Sequence, residues 1–303
     1  TGGSAADTVD DAFVFSDGAS VAGTIDGVGG INTLNYSAFT TSVAVTLDAI
    51  RTAGTATGVG GGFSNISNLL GGTNSDTVTG PDAAQTWTID GPDSGNIASA
   101  FTFDAVETLV GGSDVDTFAL ANAVSLALNI DGKDGTDILT FAAFTAASAN
   151  VDLSLVTNVE NLIDSGQAGD TITGTPTADV FVVNAANIGT VTYTTTASNT
   201  ITFANWENLS GIGGDDTFTL NNGASSLSGA IDGGAGSDGL SFAGTSTPSV
   251  VTLTNSGTDG FAGNDGAARL AGGFTNIDSL TGDSTVTSDT LIGRNVDSTW
   301  SLG

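Results

Sequence analysis

The sequence predicts an all-β fold: a parallel β-solenoid (β-helix) of three repeats of about 100 residues, each made of two related halves. Three observations predict it. Apolar residues alternate with small or polar ones over short runs. Those runs are bounded by Gly, Asn and Asp. And the same landmarks return in register along the whole chain.

The alternation is clearest in Phe13-Val14-Phe15, Val43-Ala44-Val45-Thr46-Leu47 and Thr217-Phe218-Thr219-Leu220. A period of two puts successive side chains on opposite faces of a strand. The bounding Gly, Asn and Asp tolerate the left-handed conformations of tight turns. No helical stripe of useful length is present; Ser and β-branched residues break the Ala-rich stretch from Ala142 to Ala149.

The long repeat is marked by Thr24-Ile25-Asp26-Gly27, Asn129-Ile130-Asp131-Gly132 and Ala230-Ile231-Asp232-Gly233, whose Ile residues lie 105 and then 101 positions apart. Leu34, Leu139 and Leu240 keep step, each with an aromatic two positions later at Tyr36, Phe141 and Phe242. Trp87, Phe181 and Trp300 fall at equivalent places. The repeats run over residues 1–109, 110–210 and 211–303, the last incomplete, and together form one elongated body.

A shorter motif recurs inside them: Phe63-Ser64-Asn65-Ile66-Ser67-Asn68-Leu69, then Phe103 to Leu109, Val156 to Leu162, Phe203 to Leu209 and Phe274 to Leu280. A Gly/Asp turn and an Asp-Thr-apolar step follow each copy, at Asp76, Asp116, Asp170, Asp216 and Asp289. A string of β-sandwiches also gives units of about 100 residues. Sandwich strands need not resemble one another, whereas stacked coils place like residues in ladders. At roughly 20–25 residues per coil and about 4.8 Å per layer, the chain makes about a dozen coils and a rod of roughly 60 Å. The stretch from Asn255 to Arg269 reads as a Gly/Asn loop inserted in a coil.

Composition narrows the function. The chain carries 33 acidic and 4 basic residues, a formal net charge of −29. Arg51, Lys133, Arg269 and Arg294 stand singly, so nothing matches the basic clusters that bind nucleic acid or anionic membranes. An acidic surface instead draws divalent cations. No apolar run of about 18 residues predicts a membrane span. With no Cys and no His there is no thiol nucleophile, no Ser-His-Asp triad and no ordinary zinc site. Glu107, Glu160 and Glu207 are the only Glu residues and share one motif position, which points to structure rather than to a catalytic carboxylate pair.

At the Gly/Asp turns the sequence resembles the RTX calcium-binding nonapeptide, Gly-Gly-x-Gly-x-Asp-x-apolar-x. Gly233-Gly234-Ala235-Gly236-Ser237-Asp238-Gly239-Leu240-Ser241 is the fullest copy; Gly132, Gly135, Asp137 and Leu139 keep most of another, as do Gly211, Gly214, Asp216 and Phe218. Over its whole length the chain looks like the repetitive regions of very large secreted bacterial exoproteins of the haemagglutinin-like or adhesin type. The resemblance implies a β-solenoid, export to the outside or surface of a bacterial cell, and Ca²⁺ as the one candidate cofactor. Asp137, Asp216 and Asp238 are the first candidate ligands, with Asp76, Asp116, Asp170 and Asp289 in worn copies. The turns stand tens of residues apart in sequence rather than in tandem, and each Asp is equally able to cap its own turn. Asn65, Asn158, Asn205 and Asn276 share a position that suits either an Asn ladder inside the stack or a turn-satisfying side chain.

The expected function is that of an extracellular structural protein, not an enzyme. It forms or extends a surface filament, stalk or coat by coil stacking, with itself as the main partner. An adhesin module binding glycan is the alternative. A carbohydrate-active β-helix enzyme is a more remote one, requiring paired carboxylates in a groove that breaks the repeat.

Overall fold

The structure, a computed structural model, describes residues 8–294. They are all-β, with short strands, parallel-rich sheets and no α-helix; one 3-10 turn spans Leu153–Leu155. The fold divides into two compact units, Thr1–Ala143 with Leu155–Glu160 and Phe144–Ser154 with Asn161–Gly303.

In each unit the chain passes back and forth between two sheets, and strands from successive passes pair in parallel. In the first unit, Thr33–Asn35 pairs with Asn68–Leu70, which pairs with Phe101–Asp104. On the other sheet Ala44–Leu47, Thr77–Thr79, Thr108–Val110 and Asn129–Asp131 follow one another in parallel. Register is set by burial. Leu34 lies opposite Leu69 and Leu69 opposite Phe103; Val45, Val78, Leu109 and Ile130 form the facing row. All of these are buried, while Thr33, Asn68 and Thr77 face outward. A slip of one residue would turn every apolar side chain out.

The simple pass is short. Asp116 and Asp137 hold equivalent places 21 residues apart, and Asp216 and Asp238 hold them 22 apart. The longer passes, such as the 37 residues from Asp179 to Asp216, differ for one reason. Each contains a three-strand antiparallel meander, which the sequence reading did not foresee. The meanders span 44–64, 85–104, 180–204 and 250–277. The last overturns the reading of Asn255 to Arg269 as a loop: Val250–Gly257 and Gly260–Asp265 pair as an antiparallel hairpin there.

In every meander the first strand pairs onward and the third pairs back to the preceding pass. Three of the middle strands carry a glycine under the aromatic ring of the third: Gly95 under Phe103, Gly189 under Phe203 and Gly263 under Phe274. A Cβ on Gly189 would stand 2.7 Å from the Phe203 ring and 2.1 Å from the Val182 carbonyl oxygen. This explains the Phe that opens the short motif. The copy that opens with Val156 instead follows a pass with no middle strand, where the 3-10 turn alone links Asn150–Asp152 to Val156–Thr157. Gly189→Ala should therefore cost about 1–3 kcal/mol, the range for forcing atoms into a packed core. Urea unfolding checks this, and an unchanged midpoint would remove the ring-on-glycine account.

The motif Asn residues are turn residues rather than an internal ladder. Asn65, Asn158, Asn205 and Asn276 all have φ between 52° and 64°. Their side-chain amides donate to Asp26, Asp131, Asp164 and Asp232 on the pass before. Ala105 occupies the equivalent place in the Phe103 copy at φ 55°, where a Cβ is disfavoured. Ala105→Gly should stabilise the fold by up to about 1 kcal/mol, read as a higher urea midpoint.

Candidate functional site

The candidate ligand aspartates sit at the starts of strands or immediately before them, at the corner where the chain enters a sheet. Asp76, Asp116, Asp137, Asp170, Asp216 and Asp238 are all buried, at most 1 % exposed. Asp289 lies at the same corner of a later pass and is exposed.

Their carboxylates point at main-chain amides. The first oxygen reaches across to the previous pass. Asp76 Oδ1 accepts from the Val43 amide at 2.7 Å, Asp116 from Gln85 at 2.9 Å, Asp137 from Asp116 at 2.7 Å and Asp170 from Ala149 at 2.8 Å. Asp216 accepts from Asp179 at 2.7 Å, Asp238 from Asp216 at 2.8 Å and Asp289 from Ser249 at 2.7 Å. These amides open strands and have no ladder partner of their own, so a carboxylate there satisfies a donor that burial would otherwise orphan. Asn32 does the same in the first described pass, accepting from Asp11.

The second oxygen divides the set. In one group it accepts from the aspartate's own turn: Asp76 from Gly72, Asp116 from Gly112 at 2.6 Å, Asp170 from Ser165 at 3.0 Å and Asp289 from Asp283 at 2.9 Å. Asp179, which the sequence reading did not single out, belongs here through the Thr175 amide at 2.6 Å. In Asp137, Asp216 and Asp238, the three loops nearest the nonapeptide, the second oxygen is buried without a hydrogen-bond partner. The cause is local. The residue four before the aspartate is Lys133, Ile212 or Gly234, with φ 72°, 72° and 93°. In that left-handed state the amides of Lys133 and Gly234 turn away to Asp131 and Asp232. Gly72, Gly112 and Thr175 have no such φ and keep the inward donor.

Electrostatics follow burial. Desolvation pushes Asp216 up to about 7 and Asp137 up to about 6, and it raises Asp238 as well. The neighbouring acids add to this: Asp179, Asp238 and Asp215 around Asp216, and Asp116, Glu160 and Asp131 around Asp137.

The Glu residues prove to be part of the same corner. Glu107 accepts the Asp76 amide at 2.7 Å, Glu160 the Asp137 amide at 2.7 Å, and Glu207 the Asp170 amide at 2.9 Å. Asp278 takes this place for Asp238 at 2.8 Å. Acid side chain and strand-opening amide thus alternate from pass to pass.

Two nonapeptide-like loops that are separate in sequence lie side by side in space. Gly213 bridges Ala235, the Ala235 amide donates to the Ile212 carbonyl at 2.9 Å, and the Ser237 amide donates to Asp215 Oδ1 at 3.0 Å. Calcium takes six to eight oxygens at about 2.3–2.6 Å. The loops offer much less. At Asp216 one carboxylate oxygen is already taken by an amide, and Asp215 is engaged by another. The remaining oxygen packs so closely on Gly211 that a Cβ there would stand 1.9 Å from it and 2.4 Å from the Gly233 carbonyl oxygen. The second oxygens of Asp216 and Asp215 and one facing carbonyl are fewer than the six to eight oxygens of a calcium shell, and no group of three or more acidic side chains among the described residues is placed to hold a metal.

The chain matches no protein-family model and no curated protein. No helix among the described residues is long and apolar enough to cross a membrane.

Proposed function

We propose that the chain is a structural module of an extracellular bacterial surface filament, stalk or coat, folded as a parallel β-solenoid. The observation that carries this reading is the corner ladder, in which each pass supplies an acid that the strand-opening amide of its neighbour requires. Such a device fixes the height and register of one coil on the next, which is what a long stack requires. Repetition also supports it, since equivalent acids serve the same purpose from Asp76 to Asp289.

Electron microscopy of the native material tests the reading. Fibres with an axial repeat of stacked coils are expected. Dispersed globular particles at all concentrations would overturn it.

A second reading, an adhesin surface for neutral glycan, is favoured by one face. In the second unit the outward residues Asn161, Thr202, Thr190, Val182 and Thr219 form one row, and Thr200, Thr192, Val180 and Thr217 form the next. Neither row holds a charge, although the chain carries −29. Pull-down on insoluble neutral polysaccharide, lost on Thr200→Arg, is the expected result for that reading.

A further inference from the structure

The partnerless oxygens of Asp137, Asp216 and Asp238 require an account that calcium does not provide. We propose that these three nonapeptide-like loops are closed by a proton rather than by a metal, each neutral carboxyl donating to the main-chain carbonyl that faces it from the next pass. For Asp216 that carbonyl belongs to Gly233; for Asp137 and Asp238 it belongs to Asn158 and Asn276.

The geometry points the same way in all three. The carboxyl is buried, its first oxygen is held by an amide of the previous pass, and its second has no donor. A buried acceptor without a donor is costly, and a buried charge without a partner more so. Glycine at the fifth position before the aspartate leaves the second oxygen and a carbonyl of the next pass facing the same space, as Gly71 and Gly111 also do; what sets these three loops apart is that no amide meets the second oxygen. A Cβ on Gly132 would stand 2.4 Å from Asp137 Oδ2 and 2.0 Å from the Asn158 oxygen; on Gly233 the distances are 2.7 Å to Asp238 Oδ2 and 2.0 Å to the Asn276 oxygen. Two acceptors facing each other in a buried site repel when the acid is ionised. A proton needs no room and turns that repulsion into a hydrogen bond.

No cation offsets this. Asp216 faces Asp179 from the previous pass, Asp238 from the next and Asp215 from its own loop. Asp137 faces Asp116, Glu160 and Asp131, and Asp238 faces Asp278, Asp215 and Asp232. Lys133 is exposed and lies 3.8 Å from Asp131. Loops of the other group are already closed by an amide of their own turn, so the two kinds of loop should answer differently to the same substitution.

The sign of the pH effect follows. An aspartate with a native pKa above the usual 3.8 binds its proton more tightly folded than unfolded. Its stabilisation is fully present below 3.8 and is lost as pH rises through about 6 for Asp137 and about 7 for Asp216.

The test is thermal unfolding of the intact chain at pH 5 and pH 8, each with calcium chloride and with EDTA. A midpoint several degrees higher at pH 5, and unmoved by calcium at either pH, is expected. Asp216→Asn should keep or raise the midpoint at pH 8 and flatten the pH dependence, because its amide donates where the proton did. Asp76→Asn should lower the midpoint at both pH values, because its amide would meet the Gly72 N–H. Should a variant fail to fold, infrared spectra of the unaltered chain give an independent readout. A protonated carboxyl C=O band that persists at pH 6 and fades by pH 8 supports the proposal. A midpoint that rises on adding calcium at pH 8, or one that rises steadily from pH 5 to pH 8, would overturn it.

Discussion

Trp87→Ala is expected to destabilise the first unit by about 3–5 kcal/mol, the usual range for removing a large buried aromatic. Trp87 is fully buried, stacked on Phe118 with centroids 5.5 Å apart and tilted against Phe103 at 6.3 Å. It belongs to the first strand of a meander and pairs on both sides, with Ile97 and with Phe118. Its loss opens a cavity inside a layer that cannot close, because the layers above and below are fixed by strand spacing. A Cβ on Gly80 would stand 2.9 Å from its ring. Gly80→Ala should thus be costly beside Trp87 and nearly neutral beside alanine, so the double variant should lose less than the two singles summed. Urea unfolding of the four proteins measures this. A loss below about 1 kcal/mol for Trp87→Ala would mean that the layer is not packed as described.

Asp116→Ala should cost about 2–5 kcal/mol, because it orphans two buried amides at once, Gln85 and Gly112. Asp116→Asn keeps one acceptor for Gln85 but sets an N–H against the Gly112 N–H, so it should recover only part of the loss. Hydrogen exchange distinguishes this from a general loosening. The Gln85 amide should lose protection in Asp116→Ala and keep it in Asp116→Asn. Equal exchange in both would sink the clamp.

Strand positions were legible in the sequence because burial on one face writes a period of two into it. The row Leu34, Leu69, Phe103 and the row Val45, Val78, Leu109 are visible as alternating apolar residues without any structure. The corner acids were legible as recurring positions, though their purpose was not. Asp-Thr-apolar says that something at a strand start is repeated, but whether the carboxylate's second oxygen meets an amide of its own turn depends on one φ angle four residues earlier. That angle is decided at Lys133 and Ile212, where neither residue type signals a left-handed turn. The meanders were hidden for a different reason. An antiparallel strand carries the same alternation as a parallel one, so 85–104 reads as short strands and turns in either arrangement. Gly95, Gly189 and Gly263, each eight to fourteen residues ahead of a motif Phe, were the available signal. Taken alone, glycines inside strands look only like breaks.

Each meander sets two additional strands into one sheet and none into the sheet opposite. Among the described strands of the first unit 44–64 thickens one sheet and 85–104 the other, and both end with eight. In the second unit 180–204 and 250–277 divide in the same way, giving seven and eight. A lone meander would act as a wedge of about 10 Å driven into one side. Its counterpart on the other side levels the next floor. Gaining or losing one meander would therefore leave a unit with a slope, and only a matching change across its core would level it again.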